Sequence, residues 1–364
     1  MFYELLYPLK DVFFGFNVLR YITFRAMAAA VTAFLLCLLL GPFLIARLKE
    51  RGVGQAVREK PEETRDLAGW HESKKGTPTM GGVLIVLAVL GTCLLWGNLR
   101  NTYLWLVLGV MLFLGGLGFA DDMRKWRMKN ARGMSSRHKL LWQGLLAFGV
   151  GAVLYLDPAV SDRLDIPFFK TWNVALGAAY IPFVFLVLAG TSNAVNLTDG
   201  LDGLAIGLVL LITLTYGVLS YVTGHAAISD YLNIFHVPGA GELAVFCASL
   251  FGAGLGFLWF NSYPASVFMG DTGALALGGA IGATSLIIKK ELILVLVGGI
   301  FVAEAVSVIL QVASFRLVGR RIFAMAPLHH HFQVKGWPEP KVITRFWIVG
   351  AILALLSMAT LKLR

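Results

Sequence analysis

Five aspartates stand at the edges of long apolar segments in this 364-residue chain. Asp121 and Asp122 close one segment, Asp199 and Asp202 open a second, and Asp271 opens a third. Ionised carboxylates beside membrane-like segments are costly to keep, so this placement points to chemistry on a charged substrate at one membrane face. Three motifs each begin an apolar stretch: Thr77-Pro78-Thr79-Met80-Gly81-Gly82, Asn196-Leu197-Thr198-Asp199-Gly200-Leu201-Asp202-Gly203 and Gly270-Asp271-Thr272-Gly273. A helix start exposes unpaired N–H groups and a partial positive charge, and Gly lets backbone approach a ligand closely, a combination suited to phosphate. Simple capping is the plainer reading for any one of them, because Asp and Thr are favoured at helix starts anyway. Three on one face favour a phosphate site.

Asp121-Asp122 differs, because it lies at the C-terminal end of its segment, where two carboxylates oppose the helix dipole by about 0.3–1 kcal/mol each. Either the nearby Arg124, Lys125 and Arg127 or a divalent metal should balance them. Mg²⁺ takes hard oxygen ligands, commonly one or two carboxylates plus substrate phosphates, which suits a site shared among Asp121, Asp122 and Asp271. In Pro327-Leu328-His329-His330-His331 the imidazoles suit softer metals than Mg²⁺, so phosphate contact and substrate positioning are the expected roles. Glu304, Ser307, Gln311 and Ser314 recur at helical spacing and form a stripe facing the bundle interior, with Gln311 best placed to reach a ligand.

The elements that must hold these residues are membrane helices. Hydrophobic residues make up 57% of the chain and charged residues only 14%, far too apolar for a soluble domain of this size. Spans need about 20 apolar residues. Ten stretches qualify, at 22–46, 79–97, 103–120, 139–156, 173–190, 201–222, 243–260, 272–288, 291–315 and 345–362. The expected fold is therefore an all-α polytopic membrane protein, one integral domain over residues 1–364, with the first stretch a retained helix rather than a signal peptide. Alternate connections, at 47–78, 121–139, 191–200, 261–271 and 316–345, collect most of the 31 Lys and Arg residues. That bias places them in the cytoplasm and both termini outside, so all five aspartates face a cytoplasmic cleft. The net charge of +10 suits anionic headgroups or a polyanionic substrate; no nucleic-acid partner is expected. Cys37, Cys93 and Cys247 fall inside apolar stretches and read as packing residues.

Four long motifs in order, Asp121-Asp122, Asn193 to Gly203, Phe257-Leu258-Trp259-Phe260-Asn261 through Phe268-Met269-Gly270-Asp271, and Ala326 to His331, resemble the phospho-N-acetylmuramoyl-pentapeptide-transferase family. The likeness runs from Phe16-Asn17-Val18-Leu19-Arg20-Tyr21 to the last apolar stretch. This family belongs to the polyprenyl-phosphate N-acetylhexosamine-1-phosphate transferases. The resemblance implies transfer of phospho-N-acetylmuramoyl-pentapeptide from a UDP-linked precursor to undecaprenyl phosphate, giving lipid I and UMP in peptidoglycan synthesis. It also implies ten spans in the bacterial inner membrane, periplasmic termini, Mg²⁺ dependence, membrane-lipid contacts and a homodimer. By motif, Asp121, Asp122, Asp271 and His329 correspond to catalytic residues, the three aspartates also to metal ligands. Lys125 and Lys139 correspond to phosphate-binding lysines. Asn196, Asp199, Gly200, Leu201, Asp202, Asn261 and Phe268 correspond to a nucleoside pocket, Lys74 and Thr79 to the same cleft, and His330 and His331 to the pyrophosphate and sugar side. Between Gln55 and His71 the chain departs from the family with roughly six extra residues before Lys74-Lys75-Gly76-Thr77-Pro78-Thr79.

Two rivals are weaker. A sister enzyme using UDP-N-acetylglucosamine would carry His-x-His-His in the last cytoplasmic loop rather than three consecutive His. An ion-coupled transporter would place carboxylates near the bilayer midplane, where only Glu304 lies.

Overall fold

The structure is a computed structural model that describes residues 1–54, 76–128, 133–160, 162–167 and 173–362. Its helices are α1 (Ile22–Glu50), α2 (Gly82–Trp96), α3 (Thr102–Met128), α4 (Ser136–Leu156), α5 (Tyr180–Thr198), α6 (Leu204–Thr223), α7 (Leu243–Asn261), α8 (Gly270–Ile287), α9 (Glu291–Val297), α10 (Gly299–Val318), α11 (Leu328–Val334) and α12 (Glu339–Ala359). Short helical turns at the N-terminus, just before α5 and between α6 and α7 complete the helical part of the described residues. Among the described residues, eight helical segments, those built on α1, α3, α4, α5, α6, α7, α10 and α12, are long and apolar enough to cross a membrane. The chain is a multi-pass membrane protein.

The other two expected spans form helices of a different kind. α2 is apolar but has only 15 residues. α8 is buried without interruption from Thr272 to Ile287, with α3, α5, α2 and α6 against it. A helix so enclosed needs small residues for close approach: at Gly118 of α3 a Cβ would overlap the carbonyl oxygen of Asp271.

Several boundaries differ from the sequence reading. The stretch expected as one span at 291–315 breaks at Gly298 into α9 and α10. The segment expected to be helical from 173 begins as a strand: β1 (Arg163–Asp165) and β2 (Asn173–Ala175) form a short antiparallel pair beside an otherwise helical fold. Asp199 follows α5 as its C-terminal neighbour rather than opening the next helix, and α6 starts only at Leu204. Asp121 and Asp122 do not close their helix, which continues to Met128. Cys37, Cys93 and Cys247 are buried free thiols, as their apolar settings require.

Candidate active site at the start of helix α8

α3 delivers Asp121, Asp122 and Lys125 to one point, because residues three and four apart share a helix face. α4 brings Lys139 and the start of α8 brings Asp271. Carboxylate oxygens of Asp121, Asp122 and Asp271 lie within 4.8 Å of one another, a grouping able to hold a metal ion. Asp121 and Asp122 are buried, and the Asp271 side chain is largely covered. Two ammonium groups bridge them. Lys125 Nζ lies 2.7 Å from Asp121 Oδ2 and 3.0 Å from Asp271 Oδ1. Lys139 Nζ lies 3.0 Å from Asp121 Oδ2 and 2.6 Å from Asp271 Oδ2. The Met134 N–H donates to Asp121 Oδ1 and closes that side.

Asp122 has another task. Its Oδ2 accepts from the Thr272 N–H at 3.0 Å and the Thr272 hydroxyl at 2.8 Å, and its Oδ1 from the Asp271 N–H at 3.3 Å. It thus satisfies free donors at the N-terminus of α8 from a different helix, where the dipole stabilises it. The expected penalty of a carboxylate against its own helix dipole is replaced by a favourable contact. Arg124 and Arg127, offered from the sequence as balancing charges, instead line an open cleft with Phe119, Ala120, Met123 and Met128.

Capping does not explain the three motifs. None of α2, α6 and α8 has a side-chain cap from its own N-cap residue. Asp271 is held by the two lysines while Asp122 performs the capping. Gly270, with φ +74, makes the entry turn, and a Cβ there would crowd Asp122 Oδ2 and Thr79 Oγ1, which places Thr79 beside the aspartates. The 76–82 segment is pinned there by backbone bonds from Phe268 to Pro78 and from Gly81 to Phe268. Lys74, Lys75 and the extended 55–71 stretch lie outside the described residues.

The turn from Asp199 to Gly203 is tied to the same region. Burial together with the charges of Asp271, Asp122 and Asp202 pushes the Asp199 carboxyl up to about 8. Asp202 Oδ2 accepts from Ala265 N–H at 3.0 Å, and Asn261 Oδ1 accepts from Gly203 N–H at 3.1 Å. Asp202 and Asn261 therefore join two loops and are buried in doing so, with Leu201 buried between them. Asn196, half-buried on the last turn of α5, and Phe268, half-buried on the approach to α8, border this region.

The histidine motif is divided. His329 is wholly buried, its Nδ1 3.2 Å from Glu304 Oε2, and does not reach the aspartate cluster. His330 and His331 are half-buried, with Nδ1 of His330 2.8 Å from Gln333 Oε1 and Nδ1 of His331 accepting the Ala324 N–H at 3.1 Å. Gln311 is spent on backbone: it accepts from Ile322 and Phe323 N–H and donates to the Phe323 carbonyl. It anchors the loop after α10. Sequence reasoning missed Thr272, although it stands inside a quoted motif, and missed Glu339, which accepts the Asp202 N–H at 2.9 Å.

Comparison with known proteins shows the family. The glycosyl transferase family 4 profile matches residues 104–289, and signature 1 of phospho-N-acetylmuramoyl-pentapeptide-transferase matches residues 74–86. A phospho-N-acetylmuramoyl-pentapeptide-transferase of Citrifermentans bemidjiense is 52% identical over the full length of both chains. Those of Thermodesulfovibrio yellowstonii and Desulfotalea psychrophila are 53% and 54% identical, again end to end. The chain belongs to the phospho-N-acetylmuramoyl-pentapeptide-transferase family, within glycosyl transferase family 4.

Proposed function

We propose that the chain transfers phospho-N-acetylmuramoyl-pentapeptide from its UDP-linked form to undecaprenyl phosphate, releasing UMP and forming lipid I. The observation that carries this reading is the convergence of Asp121, Asp122 and Asp271 on Lys125 and Lys139. Phosphoryl transfer needs mainly positioning and charge neutralisation, and this cluster supplies both signs of charge at one point. Three carboxylates share two ammonium groups, and all their oxygens are hard donors, so the residues present fit Mg²⁺. Asp271 would hold it, with Asp121 and Asp122 completing the charge around it. When bound, the ion supplies neutralisation of pyrophosphate charge.

The chain's own residues act as follows. Lys125 and Lys139 bind phosphate oxygens, exchanging their carboxylate partners for substrate. Asp121 orients or deprotonates the lipid phosphate, which attacks the β-phosphate directly and expels UMP. Asp122 keeps the start of α8, and with it Asp271, in register. Phe268 stacks on uracil beside the 199–203 turn, Asn196 and Thr79 border the same cleft, and His330 and His331 face the pyrophosphate and sugar. Gln311 and His329 are left out of the substrate contacts because their polar groups are committed or buried. Ten spans, with α2 and α8 as the two added to the eight, place both termini in the periplasm and the cluster at the cytoplasmic face of the inner membrane. This single domain, residues 1–364, works among membrane lipids as a homodimer.

The test is incubation with UDP-N-acetylmuramoyl-pentapeptide, undecaprenyl phosphate and Mg²⁺. UMP and a lipid-linked product are expected; release of neither contradicts the reading. A phosphorylated aspartate trapped in the absence of acceptor would replace direct attack with a two-step route.

A further inference from the structure

Glu304 lies on α10 with its carboxylate fully enclosed. A buried carboxylate without partners is expensive, so its surroundings must explain it. Among the described residues, His329 supplies its polar contacts. The His329 N–H donates to Glu304 Oε1 at 3.1 Å, and Nδ1 of the same residue stands 3.2 Å from Oε2. Among the described residues neither ring nitrogen makes a hydrogen bond, and both are buried. Nε2 packs directly beneath Gly200, so closely that a Cβ at 200 would overlap it. Gly200 adjoins Asp199, whose carboxylate lies near the Gly270 backbone and feels the charge of Asp271. One continuous line of contacts thus runs from α10 through α11 and the 199–203 turn to the start of α8.

We infer that Glu304 is a positioning residue for the transfer reaction: it fixes His329 as a strut under the Asp199–Gly200 turn and so sets the shape of the nucleotide pocket. His329 acts through that turn and touches no substrate, since its ring is enclosed. Gly200 is required there because only a residue without Cβ leaves room for the imidazole. This inference rests on the 196–203 turn binding the nucleotide part of the substrate.

The experiment is steady-state UMP release by the full-length enzyme with the UDP-linked substrate varied. Glu304→Gln keeps an acceptor for the His329 N–H but removes the charge facing Nδ1. Gly200→Ala pushes on the ring from the opposite side. Both are expected to raise KM for the nucleotide substrate about tenfold while kcat changes by less than about threefold, a loss of binding rather than of transition-state contacts. Glu304→Asp, which restores the charge, should recover part of the loss. A fall in kcat at unchanged KM would put His329 in the chemistry and overturn the inference, as would kinetics like the wild type. If Glu304→Gln does not fold, Gly200→Ala decides alone, and an unchanged KM for it overturns the inference. Absence of UMP release from the wild type would instead overturn the transferase reading.

Discussion

Helix α8 carries a charge cluster at each end, and the two ends differ in one respect that separates catalysis from architecture. At its start, Asp121, Asp122 and Asp271 share Lys125 and Lys139, and both lysine side chains keep some exposure. Just beyond its other end, 18 residues or about 27 Å away, Lys289 pairs with Glu291 at 2.9 Å and Lys290 with Asp165 at 2.6 Å. There every ammonium has its own carboxylate and all four side chains are sealed, with Lys289 also lying 4.6 Å from the centre of the Tyr180 ring. Asp165 belongs to β1, so this second cluster fastens the strand pair to the bundle. Both ends obey the helix dipole, with carboxylates at the start and lysines at the finish. Only the first leaves negative charge in excess and a way in for a ligand. An ion network built to hold a fold balances its charges; one built to receive a phosphate and a cation does not.

The sharpest way to break the comparison is Asp271→Asn. Because Asp122, and not Asp271, caps α8, the variant should stay within about 1 kcal/mol of wild-type stability yet lose turnover by about a thousandfold. Activity per folded molecule near that of the wild type would make this cluster as structural as its counterpart. The converse change is Lys290→Met, which strands the Asp165 carboxylate. Thermal unfolding should show a loss of 3–5 kcal/mol, approximately, while the remaining folded enzyme turns over normally.

Phe268→Ala should weaken nucleotide binding by roughly 1–3 kcal/mol, as loss of a base-stacking ring does elsewhere. Equilibrium binding of UMP measures it, and unchanged affinity would reduce Phe268 to packing.

A further effect is pH-dependent. Asp199 has its carboxyl raised to about 8 in the folded protein, against about 4 when unfolded. A raised folded value means a stabilising contribution that is full below about pH 4 and is lost as pH climbs through 8. Metal-free protein should therefore become less stable as pH rises from roughly 4 to 8. Asp271→Asn should flatten that slope, because Asp271 is the foremost of the charges holding Asp199 protonated. A slope unchanged by the substitution would contradict the electrostatic coupling.

Much of this was legible in the sequence, for particular reasons. Apolar length marked the helices, and the Asp-rich motifs marked the residues that gather at α8. The shared face of Asp121, Asp122 and Lys125 follows only once α3 runs on to Met128, past the end its apolar length suggested. What could not be read were contacts between distant segments. Asp122 caps a helix that begins 148 residues later, Glu304 meets a histidine beyond an entire loop, and Lys290 reaches back to a strand in another connection. Nothing in the sequence around Lys290 signals that Asp165 will cover it. The break at Gly298 was masked by the apolar residues on both sides. Gln311 stood on the expected interior stripe, yet its amide met the 322–323 backbone first.

The central claim is that the cluster at the start of α8 is a metal and phosphate centre rather than a network that holds the fold. Mn²⁺ titration followed by electron paramagnetic resonance, on the purified wild type, Asp271→Asn and Lys290→Met, addresses it most directly. The account predicts one site per chain in the wild type and in Lys290→Met, and its loss in Asp271→Asn. Equal Mn²⁺ binding by Asp271→Asn and the wild type would contradict it.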